Sequence, residues 1–354
     1  MASKTFINGG VDNNWSTAGN WSPVASVPAS GDDVFFNASS PNCVVDAASA
    51  SLKSLDMNGY LGTLSGSANI FVVAAASTTV VCRFGGTITW TGILSLRPNS
   101  TAGIISLTTG GKTLASVSLN TNAGTVNLLD DMTTTGSWTV TAGTFNAVGR
   151  TINCGVWQFS GVTARAIDIT NSTININSTG TVVNGATTTN LTLTAAGTTV
   201  NITNTSSTAK TLNLSGTAGA GEFVVDTIDI AAGGSGAVNI HSRSDNVVDA
   251  LVVNGPKSVV FVTGVDHGLS FNTLSVVASV ESLVAISTDI RGTSVSLIDL
   301  DGGTNTFSYS SFQDIAASGA TFDASDGTNI DMTGNSGIDF PPSMAGRRVL
   351  LGVG

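Results

Sequence analysis

The feature that most constrains this chain is internal repetition of a two-residue alternation. Val117-Ser118-Leu119-Asn120, Ile174-Asn175-Ile176-Asn177, Leu191-Thr192-Leu193-Thr194, Val200-Asn201-Ile202-Thr203, Leu212-Asn213-Leu214-Ser215 and Val238-Asn239-Ile240 each carry one apolar and one short polar face. With Ile167, Leu191, Leu212, Ile228, Leu251, Leu274 and Val295 as markers, the blocks return after 24, 21, 16, 23, 23 and 21 residues. That spacing approximates one solenoid coil, a unit that cannot bury its apolar face alone and must stack on its neighbours. Between the blocks stand turn formers such as Thr141-Ala142-Gly143-Thr144 and Ala231-Ala232-Gly233-Gly234, where a positive φ costs little.

The composition agrees. Charged residues are 10% of the 354, against a usual ~25%, so the long polar side chains that favour helix are scarce, while Thr, Val and Ile favour strands. A mean hydropathy of +0.30 argues against disorder. The competing all-β arrangement is a row of antiparallel sandwiches, supported by Asn8-Gly9, Asn58-Gly59, Asn184-Gly185, Asn254-Gly255, Asp301-Gly302 and Asp326-Gly327. Two sheets about 10 Å apart need bulky residues between them, however, and Thr163 to Val260 holds one Phe and no Trp or Tyr. The expected fold is therefore a right-handed parallel β-helix over residues 45–340, with about 10 to 14 coils stacked over roughly 50 to 65 Å. Residues 1–44 are expected to form an N-terminal cap or attachment segment, and residues 341–354, after Pro341-Pro342, a C-terminal tail.

A net charge of −10 has the wrong sign for nucleic acid or an anionic membrane. The start, Met1 to Asn8, has no apolar signal core, and the longest apolar run, Ile70 to Ala76, is too short to span a bilayer, so export by a signal peptide is not expected. Cys43, Cys82 and Cys154 are odd in number and form no CxxC pair, which predicts buried thiols rather than a disulfide framework or a zinc knuckle.

The supply of catalytic groups is thin. A glycosidase needs two carboxylates about 5 to 9.5 Å apart; the chain has two Glu, Glu222 and Glu281, and its Asp pairs Asp32/Asp33 and Asp130/Asp131 are sequence neighbours that point to opposite faces of a strand. Asp226 and Asp229 would need a neighbouring coil to bring them together. His241 occupies a polar slot of the alternation, and His267 lies in the turn-like Asp266-His267-Gly268, with no nucleophile elbow in the chain. One loop offers oxygen ligands for Ca²⁺, Asp299, Asp301 and Asn305, although the twelfth position is Ser310 instead of the Glu of an EF-hand, and a plain Asp-Gly turn is the simpler reading. No catalytic residue and no cofactor is expected. Asn and Thr repeated at equivalent outward positions would form ladders along the axis about 4.8 Å apart, a surface suited to sugars or to another copy.

The ends depart from the repeat. The block Trp15…Gly19-Asn20-Trp21-Ser22…Val27-Pro28…Gly31-Asp32…Val34 resembles the opening of β-helical virion proteins of tailed phages and of β-helical adhesin passengers. The run Gly111 to Val117 through Leu128 to Asp131, Thr144 to Asn146 and Gly149 to Ile152 is similar to phage-type coils, and Tyr309 to Asp314, Gly319 to Ala324 and Gly337 to Phe340 are similar to their last coils. The resemblance implies a non-enzymatic structural protein displayed on a virion, as a head decoration, head fibre or tail fibre. It implies a homotrimer, contact with capsid or tail proteins, and contact with host-surface glycans. Its alternatives are a polysaccharide-degrading tailspike and a secreted adhesin. Two attachment surfaces are candidates: the aromatic group Trp15, Trp21, Phe35 and Phe36, which reads first as a cap sealing the first coil and also as the virion-proximal end, and Arg347 and Arg348 with the apolar Val349 to Leu351.

Overall fold

A computed structural model describes residues 2–342 except positions 11, 24–25, 76–77, 100–101, 121–123, 215–222, 232–233, 235 and 264–266. Among the described residues the chain is all β apart from a three-residue 3-10 turn, Ala18–Asn20. It winds as a parallel β-solenoid with three strands per coil. Short strands follow directly from the sequence: most alternating blocks run two to five residues before a turn former stops them, which suits one side of a coil.

The first face stacks Ser3–Phe6, Asp33–Phe35, Ser54–Asp56, Thr79–Arg83, Ile104–Thr108, Thr125–Leu128, Gly143–Asn146, Arg165–Asp168 and Leu191–Thr194. The second begins with Cys43–Val45, Thr63–Gly66 and Thr87–Ile88 and continues from Thr113–Leu114 through Thr199–Ile202. The third is one sheet of thirteen strands, one per coil, from Ser51–Leu52 to Ile330–Asp331. At a strand spacing of about 4.8 Å this sheet spans roughly 58 Å. Among the described residues all strand pairs but one are parallel; Trp21–Ser22 closes the first face antiparallel to Ser3–Phe6. The parallel ladder thus starts at Ser3, well before residue 45.

Three strands, Val224–Ile230, Val247–Asn254 and Gly268–Val277, cover two faces each. Their second halves stack below Thr199–Ile202 on the second face, whereas their first halves, Val224-Val225, Val247-Val248 and Ser270-Phe271, lead down to Val295–Asp299 and Ile315–Ser318. This accounts for the uneven marker spacing in the sequence. Leu212 lies on the third face and Ile228 on the second, so the gap of 16 residues is a step around the coil and not a full turn.

One apolar column fills the interior from Phe6 to Ala324. It is mostly Val, Ile and Leu, with an aromatic stretch where Trp138 and Trp157 stack in register at 5.4 Å and meet Phe145, Phe159 and Phe223. All three cysteines are buried free thiols in it, and burial pushes Cys154 up to about 12.

Candidate functional site

The outward positions of the second face carry a polar ladder. Thr133, Asn153, Asn175 and Asn201 occupy one register position in successive coils. Asn153 Nδ2 donates to Thr133 Oγ1 (3.2 Å), Asn175 Nδ2 to Asn153 Oδ1 (2.8 Å) and Asn201 Nδ2 to Asn175 Oδ1 (2.8 Å). Beside it runs a column of hydroxyls, Thr151, Thr173, Thr199 and Thr227. Past the ladder the chain turns toward the third face at Thr135, Gly155, Asn177 and Thr203, and ladder and corner enclose a groove of about 670 Å³ along the solenoid axis. At Gly155 the backbone passes close to the preceding coil, where a Cβ would sit 2.9 Å from the Thr135 carbonyl oxygen.

No charged side chain lines this groove. Each amide in the ladder spends one of its two N–H donors on the next coil, leaving a second donor and a carbonyl lone pair per rung. Such a row is suited to a long, neutral, hydroxyl-rich ligand lying along the axis. The groove lining is made of Thr hydroxyls, Asn amides and the buried Cys154 thiol.

The carboxylates considered for catalysis are used elsewhere. Asp130 receives the backbone N–H groups of Thr109 (2.8 Å) and Gly110 (2.7 Å), and its neighbour Asp131 receives that of Thr151 (2.8 Å). Asp226 receives Gly197 N–H (2.7 Å), while Asp229 accepts from Asn254 Nδ2 (2.7 Å). Asp32 is buried and Asp33 half-buried, as opposite faces require; Asp32 takes Ala2 N–H (2.7 Å). Glu281 is exposed, and Glu222 lies outside the described residues. One carboxylate pair does face a common cavity, Asp33 and Asp56 on the first face, about 280 Å³ in volume. Each has its own cation, Lys53 at 2.9 Å and Arg83 at 3.8 Å. That pair was not evident in the sequence, because adjacency across coils depends on coil length.

The proposed Ca²⁺ loop is an aspartate-capped turn. Asp299 is buried, its Oδ1 receives the N–H groups of Asp301 (2.8 Å) and Gly302 (3.0 Å), and its Oδ2 receives Asn305 Nδ2 (2.6 Å). Asn305 in turn accepts Leu274 N–H (3.1 Å), so the oxygens expected to bind a cation hold the corner together.

The aromatic group of the first coil forms the expected cap. Trp15, Trp21 and Phe36 are fully buried with Phe6 and Tyr60, ring to ring at 4.8 to 6.1 Å, and Phe35 alone of the four is half-buried. They seal the first coil, and a partner has no access to the buried rings. Arg347 and Arg348 lie outside the described residues.

Among the described residues four cations are buried, none of them evident from the sequence; Lys4 donates to Pro23 O (3.1 Å), and the other three serve the corners. Arg165 donates to the carbonyls of Phe159, Gly161, Thr163, Thr187 and Thr189 at 2.6 to 3.1 Å, tying together the corners of two coils. Lys210 donates to Ser206 O (2.6 Å) and Lys257 to Gly234 O (3.1 Å); burial holds all three below their ordinary values. A lone cation within an apolar block is the signal that could have found them. No family model, curated protein or solved structure matches the chain.

Proposed function

We propose that the chain is a non-enzymatic structural protein of a tailed-phage particle, a head decoration or a head or tail fibre, with the solenoid presented outward and the second-face groove in contact with neutral host-surface glycan. The observation that carries this reading is the use of the acidic side chains. Asp130, Asp131, Asp226, Asp289, Asp299 and Asp314 each hold a backbone N–H of a corner, so the polar chemistry of the chain goes into making a rigid rod. A rigid rod with a long neutral groove suits display and contact. We further propose a homotrimer about the solenoid axis, formed by packing of the flat Thr and Asn faces, and attachment through a surface other than the buried aromatic rings.

Mass spectrometry of purified particles tests the reading: the protein is expected as a stoichiometric component, and its absence from particles overturns it. Incubation with host capsular or lipopolysaccharide is expected to release no oligosaccharide; release would establish the tailspike alternative. Light scattering at micromolar concentration is expected to give three times the chain mass.

A further inference from the structure

The third sheet is closed at one edge and open at the other. At its first edge, Ser51–Leu52, Leu52 is fully buried, and every strand from there to Ser310–Gln313 buries at least one residue. At its last edge, Ile330–Asp331, both residues are exposed, and so is Met332 after them. Met332 N–H bonds back to Phe312 O (2.9 Å), so by the alternation of a parallel ladder the N–H and C=O of Asp331 face away from the stack. Beside this edge Leu283, Tyr309 and Ile330 line a small cavity of about 50 Å³. Two carboxylates stand at the same end. Asp331 Oδ1 receives Thr333 N–H (2.9 Å) and Asn335 Nδ2 (2.7 Å), which leaves Oδ2 open, and the exposed carboxylate of Asp339 has no hydrogen-bond partner among the described residues.

The winding leads the chain back toward this edge. After Thr304–Thr306 three residues lead to Ser310–Gln313, and after Thr321–Asp323 six lead to Ile330–Asp331. Phe307, Ala324 and Phe340 open successive connections of this kind, Phe307 N–H bonding Asp323 O and Ala324 N–H bonding Asp339 O (2.8 Å each). Seven residues counted from Phe340 reach position 347, within the stretch 343–354 that lies outside the described residues. Charge selects the same segment. Residues 292–346 hold seven Asp and no Lys, Arg or His, and the next cations are Arg347 and Arg348, followed by Val349-Leu350-Leu351. A second copy docked end to end would set two such acidic ends against each other, whereas this segment brings two cations and an apolar run to an acidic edge with exposed Ile330 and Met332. We propose that residues 347–351 dock on the open edge Ile330–Asp331 of their own chain as the next parallel strand of the third sheet, with Arg347 and Arg348 neutralising Asp331 and Asp339 and the apolar run covering Ile330 and Met332. Pairing then removes the exposed edge. Such closure holds whether or not the chain sits on a particle.

Amide exchange followed by mass spectrometry on the full chain at pH 7.5 reads the docking and requires no variant to fold. Peptides covering residues 347–351 and the Asp331 amide are expected to exchange at least tenfold more slowly than the intrinsic rate. Exchange of residues 347–351 at the intrinsic rate overturns the proposal. In the double variant Arg347→Glu with Arg348→Glu, and in Leu350→Asp, this protection is expected to fall at least fivefold, while peptides covering Thr151–Cys154 and Thr173–Ile176 hold theirs within twofold; undiminished protection in either variant overturns it as well. A cross-link identifies the chain that supplies the segment. In Met332→Cys with Gly352→Cys, where the native thiols are buried, a short bis-maleimide is expected to join the two positions within one chain, leaving the denatured product at single-chain mass. Links formed only between chains would assign the edge to a second copy, and no link would leave it to another partner; both results overturn docking by the chain's own segment.

Discussion

Two stretches of the solenoid solve the corner between the first and second faces differently. In the coils of residues 109–202 the corner is usually a four-residue turn, Thr109 to Lys112, Ala147 to Arg150, Ile169 to Ser172 and Ala195 to Thr198, with a left-handed residue in each: Gly110 at φ 63°, Gly149 at 67°, Asn171 at 55°, Gly197 at 70°. In the coils of residues 224–277 a single residue, Asp226, Asp249 or Asn272, takes its place, none with a positive φ, and the strand continues across both faces. A corner therefore needs either a residue that tolerates left-handed backbone or one polar side chain at a bend. The ladder of amides belongs to the first kind of coil. Below Asn201 its register position is taken by Asp229, then Val252 and Ser275.

The interiors differ too, and this gives the largest expected effect. Trp157 is fully buried between Trp138, Phe159 and Phe223, and Trp157→Ala should cost about 3–5 kcal/mol in denaturant unfolding. Leu251, buried in the aliphatic stretch, should cost about 2–3 kcal/mol on truncation to Ala. Trp157→Phe should recover much of the loss, because the indole N–H has no hydrogen-bond partner to forfeit. Equal costs at Trp157 and Leu251 would remove the distinction between the two cores.

The corners come next. Gly197→Val places a branched residue at φ 70° and should destabilise by about 2 kcal/mol. Asp249→Ala, at an exposed corner without left-handed backbone, should stay within about 0.5 kcal/mol. Thermal melts of the two variants decide it; a costly Asp249→Ala would mean that the single-residue corner depends on its carboxylate.

How far the sequence could be read follows the same division. Coils with a full turn repeat their alternation, as in Thr151-Ile152-Asn153-Cys154 over Thr173-Ile174-Asn175-Ile176, so the parallel stack, the Asn ladder and the buried cysteines were legible from pattern alone. The coils with a single-residue corner broke the period, and the marker spacing mixed faces there. Residue type alone leaves two roles open at each of these places, and burial separates them. Trp15 and Trp21 read both as a cap and as an interface anchor, and in the fold their rings close the first coil. Asp299 reads both as a turn residue and as a cation ligand, and in the fold its oxygens hold a buried corner. Cross-coil neighbours such as Asp33 with Lys53 depend on the exact residues per coil, which no single block reveals.

The ladder gives a smaller effect. Asn175→Ala breaks the amide contacts to Asn153 and from Asn201 at once and should cost about 1 kcal/mol, since each partner is only half-buried and water can replace it. Val252→Asn, which extends the amide column into the other kind of coil, should change stability by less than about 0.5 kcal/mol, because neither Asp229 above nor Ser275 below is an amide. A Val252→Asn variant stabilised by as much as Asn175→Ala loses would show that the ladder is a general support and not a local feature of the groove.

The smallest effect separates the ends from the middle. Apart from Asp289, the aspartates held below 3.8 lie toward the termini: Asp12 through the N–H of Asn14 and the hydroxyl of Thr17, Asp32 and Asp46 through donors from Ala29 and Ser16 that outweigh burial, Asp323 through Ser325 and Asp326 through Ser308. For an acid whose folded value lies below its unfolded one, the stabilisation is complete above about 3.8 and is lost as pH falls through the lowered value. Each exposed group contributes little, but the end coils have neighbours on one side only, so small losses there act on the least supported strands. Pepsin at pH 2.5 should therefore cut before residue 50 and after residue 300 sooner than within residues 109–202, and Asp46→Asn, which keeps the shape but weakens the acceptor for Ser16, should hasten the N-terminal cut at pH 4.5 as well as at pH 2.5. First cuts inside residues 109–202 would mean that the amide ladder, and not the charged staples, is what acid reaches first.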